Sequence, residues 1–196
     1  ILPLLQYALT ELYDKRDGSM LTHSTYNALG GITGAIAKRA DEEFERADDT
    51  DQDVVRQIFL RLVTLGEGTE DTRRRVRRSE LGDTSAIQAV PDAYSHARLL
   101  TGDRDPETRE PTIEVAHEAL IRTWERLHAW IENSREDLRI HRRLTLATSE
   151  WVDAEEDPGF LATGARLAQF EAWRIETDLR LNIREQSYLD ASLHDR

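Results

Sequence analysis

Two short extended runs, Arg98 to Thr101 and Pro111 to Ala116, flank the turn-rich stretch Gly102-Asp103-Arg104-Asp105-Pro106. Strands separated by such a stretch read as a hairpin. Helical stripes precede them, and the order helix, helix, helix, hairpin is that of a winged helix. Nearly everything else in the chain carries a helical period. The expected fold class is therefore mainly α: a small helical domain over 1-48, a winged-helix domain with a short β-hairpin over 49-132, and a C-terminal helical bundle, the connector, over 133-196.

Leu5, Ala8, Leu9 and Leu12 follow the i, i+3, i+4, i+7 spacing of a helix with one buried stripe, and Pro3 suits its first turn. Thr22 is placed to cap a short helix that ends at Gly30-Gly31. Ile32, Ala35, Ile36, Ala40 and Phe44 trace the next helical face. Asp48-Asp49-Thr50-Asp51 reads as a linker whose Thr50 caps a helix carrying Val55, Ile58, Phe59 and Leu62, with Gly66-Glu67-Gly68 as its end. Ser79 opens a short helix stopping at Gly82-Asp83. From Asp83 to Arg98 the pattern is again helical, with Pro91 expected to split or kink it unless the helix starts beside it. Beyond His117, Leu120, Trp124, Leu127 and Ile131 predict one helix, and Ile140, Leu144, Ala147 and Trp151 a second. Leu161, Ala165, Ala168 and Trp173 predict a third, and Asn182 with Glu185 a capping-box start for a fourth.

One histidine stands apart. In Ile113-Glu114-Val115-Ala116-His117-Glu118-Ala119-Leu120-Ile121-Arg122 a strand runs straight into a helix with His117 at the junction. There, unpaired N–H groups and a partial positive charge favour a phosphate. Periodicity alone favours a histidine that merely closes the helix start by hydrogen bonding. His23, His96, His128, His141 and His194 have no comparable setting and read as surface or cap residues. His117-Glu118 is not a zinc-protease motif, because Ile121 occupies the place of the second ligand. Glu114 with His117, and Glu125 with His128, repeat the Glu-x-x-His spacing of di-iron bundles, but Glu114 falls on a strand. Arg73, Arg74, Arg75, Arg77 and Arg78 form a basic run able to touch DNA phosphate, yet the surrounding Glu67, Glu70, Asp71 and Glu80 favour an internally paired surface or a protein interface.

Charge narrows the partners. A formal net charge of −12 opposes broad attraction to nucleic acid or anionic membrane. The absence of cysteine removes disulfide, thiolate and cysteine-zinc chemistry. No apolar run approaches the roughly 18 residues that would span a bilayer, no signal sequence opens the chain, and a cytoplasmic location is expected. There is no Gly-x-x-x-x-Gly-Lys-Ser/Thr phosphate loop, so ATP hydrolysis by this segment alone is not expected.

The strings Leu2-Pro3-Leu4-Leu5-Gln6-Tyr7-Ala8-Leu9-Thr10-Glu11-Leu12, Leu29-Gly30-Gly31-Ile32, Phe59-Leu60-Arg61-Leu62-Val63-Thr64 and Val115-Ala116-His117-Glu118-Ala119-Leu120-Ile121-Arg122-Thr123-Trp124 resemble bacterial STAND-type signalling NTPases, in particular the novel STAND group that commonly precedes WD40 repeats. The stretch Gly66-Glu67-Gly68-Thr69-Glu70-Asp71-Thr72-Arg73-Arg74-Arg75-Val76 is similar as well. The resemblance implies a segment lying between a P-loop domain, absent here, and a downstream repeat domain that senses a ligand. Its implied function is that of a regulatory, nucleotide-sensing arm that is no enzyme by itself, helps to hold ADP in the closed state of a signal-transduction ATPase, and transmits sensor-ligand binding. ADP or ATP would be shared with the P-loop domain. His117 would contact the β-phosphate and Pro3 the adenine, although the family's Gly-x-Pro pattern has Ile1 in place of its glycine. Implied partners are the protein's own P-loop domain and repeat sensor domain, with oligomerisation on activation, and neither nucleic acid nor membrane. The alternative is a winged-helix DNA-binding transcription regulator.

Overall fold

The computed structural model describes residues 2–82 and 85–195, the side chains at positions 2, 3, 85 and 86 apart. It falls into two compact units, Ile1–Glu132 and Asn133–Arg196.

The first unit begins with three helices, α1 (Leu2–Asp14), α2 (His23–Ala28) and α3 (Gly31–Arg46). The Thr22 hydroxyl accepts the Thr25 N–H at 3.1 Å and so starts α2 as expected. Gly30, at φ 74°, takes the left-handed turn into α3 that a side chain would strain. On α1 the inward face carries Tyr7, Ala8 and Leu12, whereas Leu9 is 47% exposed. The apolar stripe expected from Leu5 and Leu9 is rotated because Tyr7 is the large ring that packs inward.

Helix α4 (Asp49–Arg61) buries Val55, Ile58 and Phe59. Its cap is Asp48, whose carboxylate accepts the Asp51 N–H at 2.9 Å. Thr50, expected in that role, lies inside the first turn. Asp49 and Asp51 then complement the positive end of the helix. The helix stops at Arg61, well before Gly66, and β1 (Val63–Thr64) pairs antiparallel with β2 (Thr72–Arg73). The Gly66 N–H donates to the Asp71 carboxylate at 2.8 Å inside this ribbon, and a Cβ at Gly66 would collide with the carbonyls of Thr69 and Glu70.

Next come β3 (Val76–Arg77) and a 3-10 turn over Arg78–Glu80, with Glu80 reaching back to the Arg77 N–H at 3.2 Å. Ser79 thus sits within that turn and does not begin it. Helix α5 (Ser85–His96) runs through Pro91 unbroken, and Pro91 is buried. Pro91 removes one backbone donor, but the helix is packed against α4 and β4. The start expected at Asp83 lies outside the described residues. Strands β4 (Leu100–Arg104) and β5 (Pro111–Val115) then form the wing, and the sheet order is β3-β5-β4. Gly102, Asp103 and Arg104, expected in the loop, pair with Ile113, Thr112 and Pro111.

The helix predicted after His117 is two helices, α6 (Ala119–Thr123) and α7 (Glu125–Asn133). Trp124 breaks them apart with φ −84° and ψ 97°. Its indole N–H donates to Asp41 at 2.8 Å, and its ring packs edge-on against Phe44, Phe59 and Trp130 at 5.1 to 6.4 Å. Burying this ring outweighs the loss of helical continuity.

The second unit holds α8 (Arg135–Asp153), α9 (Gly164–Glu176) and α10 (Ile183–His194). The capping box expected at Asn182 and Glu185 is formed. On α9 the buried face is Leu167, Phe170 and Trp173, while Ala165 and Ala168 face outward and Leu161 precedes the helix. His141, expected at the surface, is 5% exposed. The chain is thus mainly α, with two small antiparallel sheets, a winged-helix-like element and helical packing around it.

Candidate functional site

His117 follows β5 directly, where Ala116 donates its N–H to the Leu99 carbonyl at 2.9 Å and closes the end of the wing. The His117 carbonyl accepts the Leu120 N–H at 2.9 Å, so its backbone serves the start of α6 and leaves the ring for other contacts. That ring is half-buried and meets Tyr7 of α1 edge-on, with centroids 5.9 Å apart and planes at 70°. One side chain of the wing's end thereby touches the first helix of the chain. Burial, and then the nearby Arg73 guanidinium, hold the imidazole below its ordinary pKa and favour the neutral ring.

Two guanidiniums stand near this pair of rings, Arg73 by the imidazole and Arg98 by the Tyr7 hydroxyl. Arg73, at the end of β2, lies 3.5 Å from the carbonyls of Val115 and Ala116 and 3.6 Å from the Glu114 carboxylate. Tyr7 is 3% exposed, and among the described residues its hydroxyl has no hydrogen-bond partner. Burial, reinforced by Glu11, pushes that hydroxyl well above the usual phenol range. Arg98 reaches α1 from the turn between α5 and β4, donating to the Thr10 hydroxyl at 3.3 Å, one helical turn from Tyr7. Beside it, Leu5, Gln6, Leu9, Thr10 and Tyr13 line an open groove of about 480 Å³ on α1. Arg73 stood in the sequence only as one member of the basic run, and nothing in the sequence marked Arg98. Tyr7 was hidden inside an apolar string and draws notice only through its company with His117.

The arginine run is matched by carboxylates, though mostly not those beside it in sequence. Arg74 pairs with Glu80 at 2.8 Å, Arg75 with Glu114 at 3.2 Å, Arg77 with Glu110 at 3.2 Å and Arg78 with Asp92 at 3.0 Å. Helix α5, in the place of a winged helix's reading helix, contains neither Lys nor Arg. A duplex would meet little uncompensated positive charge on this face. Glu114 is taken up by Arg73 and Arg75, and among the described residues no three His, Asp or Glu side chains converge as a metal set. Among them, too, no helix is long and apolar enough to cross a membrane.

Pro3 lies in the first turn of α1, and its side chain is outside the described residues. No catalytic phosphate loop occurs in the sequence. The family model described as Novel STAND NTPase 1 matches residues 1–159. No curated protein and no solved structure matches the chain.

Proposed function

Since the chain belongs to the Novel STAND NTPase 1 family, we propose that it is the regulatory, non-catalytic arm of a signalling ATPase. It helps to hold ADP in the closed state and relays ligand engagement from a repeat sensor domain. A P-loop domain of the same polypeptide supplies hydrolysis, the nucleotide is shared between the two, and release of the arm exposes surfaces for oligomerisation. His117 donates a hydrogen bond to the β-phosphate, and Pro3 packs on the adenine.

The observation that carries this reading is the placement of His117 between the wing and α1. A ligand shifts an equilibrium only through a contact present in one state and absent from the other, and a ring braced on Tyr7 has such a contact available only while wing and helix stay together. A neutral imidazole offers one N–H to a phosphate oxygen, while Arg73 supplies positive charge nearby. A hydrogen bond to a charged phosphate contributes about 1.5 to 3 kcal/mol, or roughly ten- to a hundredfold in the closed/open ratio. That biases a switch without making it irreversible.

Phosphate beside the ring favours its protonated form, so ADP binding takes up protons and tightens as pH falls toward the imidazole's ordinary value. In the full-length protein, His117→Ala should release ADP about tenfold faster, raise basal activity and flatten this pH dependence. ADP dissociation measured between pH 6 and pH 8 tests it. Unchanged dissociation and unchanged basal activity in the variant would remove His117 from the nucleotide.

A further inference from the structure

We propose that Arg98 is a second ligand for the phosphate group that meets His117, its guanidinium supplying positive charge from the turn between α5 and β4. This rests on the nucleotide reading of His117 and adds a residue that neither the sequence strings nor the family match single out.

Position comes first. Strands β4 and β5 pair Leu100 with Val115, and the Ala116 N–H bonds the Leu99 carbonyl. Arg98 therefore stands one residue beyond the pairing on one side and His117 one residue beyond it on the other. Their side chains land on the same helix, Arg98 on Thr10 at 3.3 Å and His117 on Tyr7. Residues three apart on a helix are separated by only about 4.5 Å along its axis.

Backbone conformation comes second. The chain leaves α5 with the Leu99 N–H on the Tyr94 carbonyl and the Arg98 N–H on the Ser95 carbonyl, both 2.9 Å, and Arg98 at φ 59°. This is the Schellman ending whose left-handed position glycine fills without strain. An arginine there is a local cost with no packing return, because its side chain is exposed. Arg109, Glu155 and Glu156 are exposed at positive φ as well, so this conformation marks Arg98 only together with its reach to α1.

Charge comes third. The guanidiniums of Arg74, Arg75, Arg77 and Arg78 each face a carboxylate within 3.2 Å. Among the described residues Arg98 has only the Thr10 hydroxyl, at the rim of the open groove on α1. A planar guanidinium with most of its donors unused is suited to bidentate capture of phosphate oxygens.

The strain argument supplies a variant that does not endanger the fold. In the full-length protein, Arg98→Gly should melt no lower than the parent and yet release fluorescent mant-ADP about tenfold faster, with Arg98→Lys falling between. Binding of adenosine, which has no phosphate, should be unaffected by Arg98→Gly. Equal losses for mant-ADP and adenosine would make the effect structural and overturn the proposal. Unchanged mant-ADP release in Arg98→Gly, with faster release in His117→Ala, would overturn the role of Arg98 and leave that of His117 standing. If neither variant changes release, the nucleotide reading of His117 falls and this inference with it.

Discussion

His117 and His141 show what an environment makes of the same side chain. In the second unit, His141 lies tilted at 30° against Trp173 with ring centroids 5.5 Å apart, and its Nε2 is 3.2 Å from the Glu185 carboxylate. That carboxylate also accepts from the Thr145 hydroxyl at 2.7 Å and the Asn182 N–H at 2.9 Å. One buried acid thus joins α8 to the start of α10. In the first unit, His117 touches a tyrosine ring, is half-buried, and among the described residues is paired with no carboxylate. The first arrangement spends its imidazole on the fold, whereas the second leaves its imidazole without a carboxylate partner among the described residues. A histidine's role is set by whether its polar partners are already inside the unit, not by its burial alone.

The largest expected effect should come from the buried pair. Glu185→Ala leaves His141, Thr145 and the cap of α10 without their shared acceptor and should cost about 3 to 5 kcal/mol of stability in urea unfolding. Next is Ser192→Ala. Its hydroxyl accepts the buried Ala162 N–H at 3.1 Å and donates to the Tyr188 carbonyl at 2.8 Å, so its loss strands a donor and should cost about 1 to 3 kcal/mol in the same measurement. His117→Ala, by contrast, should change the stability of the 196-residue segment by no more than about 1 kcal/mol. Equal costs for Glu185→Ala and His117→Ala would break the comparison outright.

Acidity sharpens the contrast further. The folded state holds His117 below its ordinary pKa of 6.5, so the unfolded chain binds the proton more readily. The ring's contribution is intact above that pH and lost as pH falls through the lower folded value. The stability difference between the parent and His117→Ala, followed by thermal melting from pH 7.5 downward, should therefore shift in the variant's favour below about pH 6.5. A difference that is independent of pH would place the imidazole in an environment indistinguishable from water.

Features carried by one local signal were legible in the sequence. Thr22 and the Asn182–Glu185 box declare their caps because a short polar side chain precedes a helical stripe. The stripe of α3 emerged because that helix has one apolar face, and that of α4 because Val55, Ile58 and Phe59 keep helical spacing, although Val54 and Leu60 are buried beside them. Features decided by distant partners were not legible. The break at Trp124 depends on Asp41 and an aromatic cluster drawn from three other parts of the chain, while the heptad-like spacing of Leu120, Leu127 and Ile131 runs across it undisturbed. The β1–β2 ribbon is only two residues per strand, too short for alternation to show. The burial of His141 is written 44 residues away, in Glu185. At the candidate site, His117 stood out through its junction, but Arg98 required the strand register to bring it there.

Asp41 accepts from the Trp124 indole at 2.8 Å and from the Arg126 guanidinium at 3.2 Å, whose carbon also sits 4.3 Å over the Phe44 ring. The Tyr7–His117 and Thr10–Arg98 contacts hold α1 to the base of the wing one turn apart, while Asp41 holds α3 to the α6–α7 elbow. Separating these elements would uncover the fully buried Trp124 ring, whereas Asp41, Arg126 and Arg98 already meet water and would exchange their partners for it. Opening along this line therefore costs apolar burial first, and the penalty grows with the area of the aromatic cluster laid bare.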